Sequence, residues 1–419
     1  MRTLLARLRA AFITAPEPPR GAAVGWLCLL SAYFLYRAVV REPLEIWERG
    51  VFVLCAAMIP SPGWLRRLGA GIALIWFYLT DRLLHAPFSA ANHEWLEAFL
   101  LALLAVSPSG YGGLRRIFMA AAVILIGWTG VQKLANGYYL YGDFFTVSIA
   151  QPSQKFAAPV LPRLSESRRA EYAAFHKAYR AHIDAAVPGV LDLPLPRDPA
   201  VVWLSRAACW ATLLAELAGP VLLIPRRTRR VTAALLVVFF LGVEAVAHEW
   251  VFGALTALFL ILFLAPRPGG PPGEAGARPR EAAFAACSAA LLGVLAVWPA
   301  VQMALVRRTG LSPWKLAGFG MYSVPARFGG VVVETRGPGE TEWALRPPRD
   351  PREERFYSSR SYVLRHAPFL RPAAGDLAEL AFREPEELRP AEVRVRSLAM
   401  IYDRPTGRFR LVERAFLFP

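Results

Sequence analysis

Lysine is almost missing from this 419-residue chain: Lys133, Lys155, Lys177 and Lys315 are the only four. Arginine supplies nearly all the basic charge, and the formal net charge is +16. Cysteine is equally sparse. Cys28, Cys55, Cys209 and Cys287 each lie inside an apolar run without CxxC spacing, which argues against a disulfide or thiolate–metal framework and for small buried hydrophobes. Only 19% of the residues are charged. The sequence has no P-loop, dinucleotide fingerprint, GxSxG elbow or HExxH, so the best-marked nucleotide-binding, hydrolase and metalloprotease classes have no support. It has no internal repeat, and its low-complexity sequence is limited to the linker RPGGPPGEAGARPR. No cleavable signal peptide is evident. The first 20 residues, MRTLLARLRAAF and a PEPP break, read as a basic amphipathic segment at a membrane surface.

Apolar residues are abundant. They make up 55% of the chain and give a mean hydropathy of +0.35. They cluster in long Leu/Ala/Val-rich runs separated by short basic or Pro/Gly-rich stretches, the pattern of a chain that crosses lipid repeatedly as helices. The expected fold is therefore an α-helical polytopic membrane protein with about nine transmembrane helices. The runs are Gly21–Val40, Glu48–Pro60, Leu68–Leu84, Trp95–Val106, Leu114–Leu134, Val201–Ile224, Val231–Ala247, Trp250–Leu264 and Ala282–Val301. Many arginines fall in the short connections between runs, where they set topology, so the positive charge does not point to nucleic acid. Arg66 and Arg67, Arg115 and Arg116, and Arg226 to Arg230 alternate with connections holding Glu42, Glu45 and Glu48, Glu94 and Glu97, or Glu249. This alternation places the N-terminus in the cytoplasm and the C-terminus outside, in the plasma (inner) membrane.

Three regions follow: residues 1–20, a transmembrane domain at 21–306, and a tail at 307–419. An extracytoplasmic insertion at 137–199 interrupts the transmembrane domain. The insertion contains ESRRAEYAAFHKAYRAHIDAA, an amphipathic helix pattern closed by Pro188–Gly189. The tail reads as a small α+β domain on the outer side. GGVVVETRGPGETEWALRP is one hairpin, and EVRVRSLAMIYDRPTGRFRLVERAFLF is a second that turns at Arg404–Gly407. RFYSSRSYVLRHAPFLR is a helix between them.

Charge inside hydrocarbon is costly, so ionisable residues in the runs are functional candidates. Lys133 sits near the outer end of the fifth run. A lysine partly removed from water favours its neutral form and can act as a base; the alternative is a snorkelling or ion-paired lysine. Three acidic–histidine pairs stand at i,i+4 spacing: Asp81 with His85, His93 with Glu97, and Glu244 with His248. A carboxylate beside an imidazole orients the ring for proton transfer; the alternative is an interfacial or helix–helix hydrogen bond. The spacing is not a recognised metal motif, and no metal is expected. Glu216 lies about 22 Å along the sixth run. That depth places it towards the inner side, in a structural role. The aromatics after Lys133, Tyr138 among them, read as an interfacial belt or as the wall of a pocket. A cavity opening to lipid around Lys133 would favour catalysis, and a tight salt bridge to one carboxylate would favour a structural lysine.

GWTGVQKLANGYYLYGDFF resembles a signature of the HTTM family, the vitamin K-dependent gamma-carboxylase-like membrane proteins. Gly130, Lys133, Tyr138 and Gly142 match its outline. AELAGPVLLIPRRTRR followed by VEAVAHEW is similar to the family's next two helices, and WKLAGFGMYS is faintly similar to its entry into an outer domain. The resemblance implies an outer-facing pocket for a lipophilic small molecule, with a reduced, vitamin K-like quinone as co-substrate. Of these residues the resemblance makes Lys133 alone the catalytic base; the acidic–histidine spacing adds Glu244 and His248 as its proton partners, with Asp81, His85, His93, Glu97 and Tyr138 as substrate-binding candidates. The chain departs from the family in lacking a tryptophan soon after the lysine and in its short tail, which weighs against carboxylation of protein glutamate. The expected partners are membrane lipid, the lipophile and a protein client. The non-enzymatic alternative is a membrane scaffold or maturation factor whose hairpin edges hold that client.

Overall fold

A computed structural model describes residues 20–40, 45–61, 63–84, 91–107, 112–151, 155–186, 188–191, 193–247, 251–265, 279–309, 311–312, 330–384, 386 and 389–419. Every apolar run read from the sequence is helical. The helices are α1 (Arg20–Val40), α2 (Ile46–Met58), α3 (Trp64–Ala73), α4 (Asn92–Val106), α5 (Gly112–Asn136), α8 (Pro199–Leu223), α9 (Arg229–Ala247), α10 (Phe252–Leu264) and α11 (Pro279–Thr309). Between the fifth and sixth runs lie α6 (Phe144–Ala150) and α7 (Glu166–Asp184), and the tail holds α12 (Pro351–His366) and α13 (Arg371–Phe382). Among the described residues, four stretches are long and apolar enough to cross a membrane: Gly21–Val39, Leu114–Asn136, Pro199–Leu223 and Phe284–Thr309. The other apolar helices fall short of that length or apolarity. At 13 residues each, α2 and α10 are about 20 Å long, against a hydrocarbon core of about 30 Å. The third run is not a uniform α-helix: Leu74–Leu84 is a π-helix.

The chain divides into two compact units. The described residues of the first lie within 20–135 and 211–302, and those of the second within 136–210, 303–312 and 330–419.

The first unit is helical. The spacing in α1 buries Trp26, Leu27, Leu30, Tyr33, Phe34 and Arg37 along one face, as the 3.6-residue period requires. Trp26 donates its indole N–H to Leu258 O at 2.8 Å and packs on Phe118, which stacks on Phe259. The outer faces are apolar too, with Leu29, Leu214, Val221, Leu235, Val238, Val294 and Val297 exposed. A patch of that extent would be a liability in water. Two arginines read from the sequence only as topology signals also close helix ends. Arg115 donates to Leu262 O and Ala265 O at the end of α10, and Arg229 donates to Leu223 O and Ile224 O at the end of α8. Terminal carbonyls lack intrahelical partners, and a cation there also suits the helix dipole.

The second unit is built on an antiparallel five-stranded sheet of order β1-β5-β4-β2-β3. The strands are β1 (Gly189–Val190), β2 (Val331–Arg336), β3 (Ala344–Leu345), β4 (Glu392–Asp403) and β5 (Arg408–Phe418). Both hairpins expected from the sequence are present, and Asp403 pairs with Arg408 across the four-residue turn. The strand β1 belongs to the insertion, so insertion and tail share one sheet. Along β4 the buried face switches. Val393, Val395 and Ser397 point into a core made with Ala374, Leu377 and Ala378 of α13 and Leu364 of α12. Leu398, Met400 and Tyr402 are buried on the opposite face. On β5, Phe409 meets Phe175 and Tyr179 of α7 at 5.8 and 5.0 Å. Asp350 caps α12 by accepting from the N–H groups of Arg352 and Glu353, with Pro351 in the first turn.

Candidate functional site

Lys133 lies on the last turn of α5, and its Nζ sits 2.6 and 2.7 Å from the two carboxylate oxygens of Glu216 on α8. Their side chains are 3% and 4% exposed. Both residues belong to the first unit. The two helices can approach closely because α5 presents Gly127 and Gly130. A Cβ on Gly130 would lie 2.9 Å from Leu217 and 3.0 Å from the Glu216 carbonyl carbon, and Pro220 lies 3.8 Å from the Gly127 position. Small residues at such a crossing let side chains of opposite charge meet inside a helix pair. On the next helix pair, Gly219 leaves room for Leu236 of α9. Thr129, one turn before Lys133, donates to Ile126 O and lies within hydrogen-bonding range of Glu216. The sequence placed Glu216 towards the inner side, away from Lys133; direct contact puts the two at one level. The lysine is therefore in a tight salt bridge to a carboxylate, the outcome that the sequence reading assigns to a structural lysine.

A second buried charge centre surrounds Glu97 on α4, whose side chain is 0% exposed. Arg37 Nε lies 2.9 Å from Oε1, Tyr33 donates its hydroxyl to the same oxygen, and Tyr78 donates to Oε2 at 2.6 Å. His93 Nε2 stands 3.4 Å from Arg37 Nη2. Arg37 thus touches both the imidazole and the carboxylate that the i,i+4 spacing paired. Glu97, counted in the sequence with an outer connection, is interior to α4. Tyr78 reaches it from the π-helix, a geometry frequent at functional sites.

Glu244 is buried near the end of α9 and accepts the N–H of Gly253 at 2.5 Å. That donor belongs to the first turn of α10, whose N–H groups lack intrahelical partners, so Glu244 caps the following helix. The Gly253 position has no space for a Cβ beside Glu244. His248 and His85 lie outside the described residues, as do residues 1–19, 266–278 and the Trp314–Ser323 stretch. Asp81 lies on the π-helix, and its side chain is likewise outside the description. Tyr138 is in the second unit and donates to Tyr402 O at 3.2 Å. Among the described residues, no group of three or more His, Cys, Asp or Glu is placed to hold a metal ion.

Sequence reasoning singled out Lys133, Glu97, His93 and Glu244 but did not pair Lys133 with Glu216, and it missed Tyr33, Arg37 and Tyr78. Tyr33 and Arg37 stand at i,i+4 in the first apolar run, which was the available signal. Outside the helical unit, burial pushes the Asp143 carboxyl above its usual range, while Arg197, Arg404 and Arg206 pull it back. Burial likewise pushes the Tyr172 hydroxyl up to about 12.

The chain matches no protein-family model, no characterised protein and no solved structure.

Proposed function

We propose that the chain is an integral membrane protein of HTTM type that removes a proton from a lipophilic substrate of the quinol class at the Lys133–Glu216 pair. The nine apolar helices span or pack within the plasma (inner) membrane, with the N-terminus in the cytoplasm and the sheet unit on the outer side. The observation that carries this reading is a buried lysine where, among the described residues, other buried ion pairs use arginine, as in Arg37–Glu97 and Arg346–Glu384. A guanidinium does not release its proton, whereas an ammonium can.

The chemistry needs only this pair. Lys133 passes a proton along a 2.6–2.7 Å hydrogen bond to Glu216, leaving a neutral amine beside a neutral acid. Removing both charges lightens the desolvation that a buried ion pair bears. The amine then accepts the proton of a quinol hydroxyl and becomes ammonium again, the substrate becomes the quinolate, which dioxygen supplied in the assay oxidises, and Glu216 releases its proton to water to restore the pair. Glu216 takes the partner role that the sequence gave to Glu244 and His248. The test is turnover of reduced quinone in membranes carrying Lys133→Ala or Lys133→Arg, each produced at wild-type abundance. Both variants are expected to lose turnover, and wild-type-like turnover in both removes the proposed base.

A second reading, a non-enzymatic scaffold, has its own support. The tightness of the Lys133–Glu216 bridge suits a structural lock, and β5 has an incompletely used edge. Among the described residues, β1 pairs only with Arg410 and Leu411, and no strand pairs with Val412–Phe418 on that side. A client segment added there would extend the sheet. Co-purification separates the two readings: a stoichiometric protein partner without a bound lipophile favours the scaffold.

A further inference from the structure

The turn that follows α5, Gly137–Asp143, carries a group of arginines that neither reading of Lys133 uses. Gly137 and Gly142 adopt φ of +77° and +75°, the left-handed region that glycine enters without strain. Each seats one arginine against its bare Cα. A Cβ on Gly137 would strike the Arg404 guanidinium, and one on Gly142 would strike the side chain of Arg206. Arg404 comes from the β4–β5 turn and lies 3.7 Å from the centre of the Tyr141 ring, with its Nε 3.7 Å from Asp143. Arg206 comes from the second turn of α8, and both it and Arg197 act electrostatically on Asp143. Arg197 also donates to the Tyr402 hydroxyl at 3.1 Å.

Three arginines from three segments therefore stand around this turn, Arg404 beside Asp143 and Gly137, Arg206 against Gly142, and Arg197 on the hydroxyl of Tyr402, whose carbonyl accepts from Tyr138. Two further acids adjoin these arginines in sequence and accept local hydrogen bonds. Asp198 caps α8 through the N–H groups of Ala200 and Val201, and Asp403 accepts from Thr406. All these residues belong to the second unit, so the cluster stands within one compact body.

Its surroundings indicate what the surplus positive charge meets. Trp203, Leu204 and Trp210 of α8 are exposed, Trp203 by 72%, and Arg206 lies between the two tryptophans along that helix. Tyr141, beneath Arg404, is exposed as well. Tryptophan and tyrosine with arginine between them is the composition of a membrane–water interface. The 25 residues of α8 extend about 37 Å, beyond a hydrocarbon core of about 30 Å, so the first turns of the helix fall at headgroup level.

We propose that Arg197, Arg206 and Arg404, set around the Gly137–Asp143 turn, bind a phosphate group, that of an anionic phospholipid headgroup. Guanidinium forks match phosphate oxygens, and the exposed rings flank the acyl chains of the same lipid. The inference rests on the membrane reading of the chain but is independent of any chemistry at Lys133.

The test uses the full chain, extracted in mild detergent and returned to nanodiscs of phosphatidylglycerol or phosphatidylcholine, with retained lipid measured by native mass spectrometry. Wild type is expected to retain phosphatidylglycerol preferentially. The single variants Arg206→Gln and Arg404→Gln are each expected to lower that preference roughly fivefold, and Arg206→Lys is expected to keep most of it. Equal retention of the two lipids by wild type overturns the proposal, as does an undiminished preference in both Gln variants. A separate arm adds inorganic phosphate alone to detergent-solubilised wild type. Protection equal to that from phosphatidylglycerol, lost in the Gln variants, would move the site from a lipid to a soluble phosphate. Should a Gln variant fail to fold, the wild-type lipid comparison and Arg206→Lys still decide. A chain that alkaline carbonate strips from membranes would overturn the membrane reading itself, whereas a chain that stays in the membrane without lipid preference overturns only this site.

Discussion

Removing either partner of the Lys133–Glu216 pair takes away the charge that faces the other across 2.6–2.7 Å in a buried setting. Both carboxylate oxygens lie within 2.7 Å of Nζ, and neither side chain is more than 4% exposed, so little water can replace the lost partner. Breaking a buried pair from one side costs about 3–5 kcal/mol, while replacing both members with apolar side chains of similar volume is often neutral. Lys133→Met and Glu216→Leu alone should therefore each lower stability by about that amount, and the double variant Lys133→Met with Glu216→Leu by far less. The coupling energy from the cycle should therefore exceed about 3 kcal/mol. The assay is unfolding by a graded mixture of denaturing and mild detergents, read by far-UV circular dichroism for the wild type, both singles and the double. A double variant no more stable than the sum of the singles would refute a direct buried pair. The cycle tests the pairing and leaves the chemistry to the turnover assay.

Gly130→Ala puts a methyl group against the α8 backbone beside Glu216 and should cost about 1–3 kcal/mol in the same assay, whereas Gly71→Ala, facing open space, should not. Tyr78→Phe removes a hydroxyl that donates to a fully buried carboxylate and should cost about 1.5–3 kcal/mol. In the sheet unit, Tyr172 is held up to about 12 against an ordinary 10, so the folded state keeps a proton that the unfolded state releases in that window. Stability should be unaffected below pH 10 and fall as pH rises towards 12, and Tyr172→Phe should soften that fall in an alkaline unfolding titration.

Elements with a strong local period were legible in the sequence. The apolar runs are helices, and the β4–β5 hairpin turns where Pro405 and Gly407 predicted, with Gly407 at φ +67°. Features depending on distant partners were not legible. Glu216 was visible as a lone acid in an apolar run, but 83 residues separate it from Lys133, and only the close crossing at Gly130 brings them together. Arg37 lies in the first apolar run and drew no reading, while its partner Glu97 was grouped with an outer connection, because a single helix face does not reveal what packs on it. The two-residue β1 carries no alternation by itself; β5 supplies its register. The π-helix at Leu74–Leu84 has no distinct sequence period, and α13 lay in an Ala-rich stretch that gave no strong signal.

The most direct test of the central claim is the initial rate of reduced-quinone consumption by Lys133→Arg in membranes where the folded protein matches wild-type abundance. Arginine keeps the positive charge opposite Glu216 but cannot yield its proton. The account predicts a loss of about 10²–10⁴-fold, the scale of general-base catalysis. A rate within about twofold of wild type would mean that Lys133 only holds helices together.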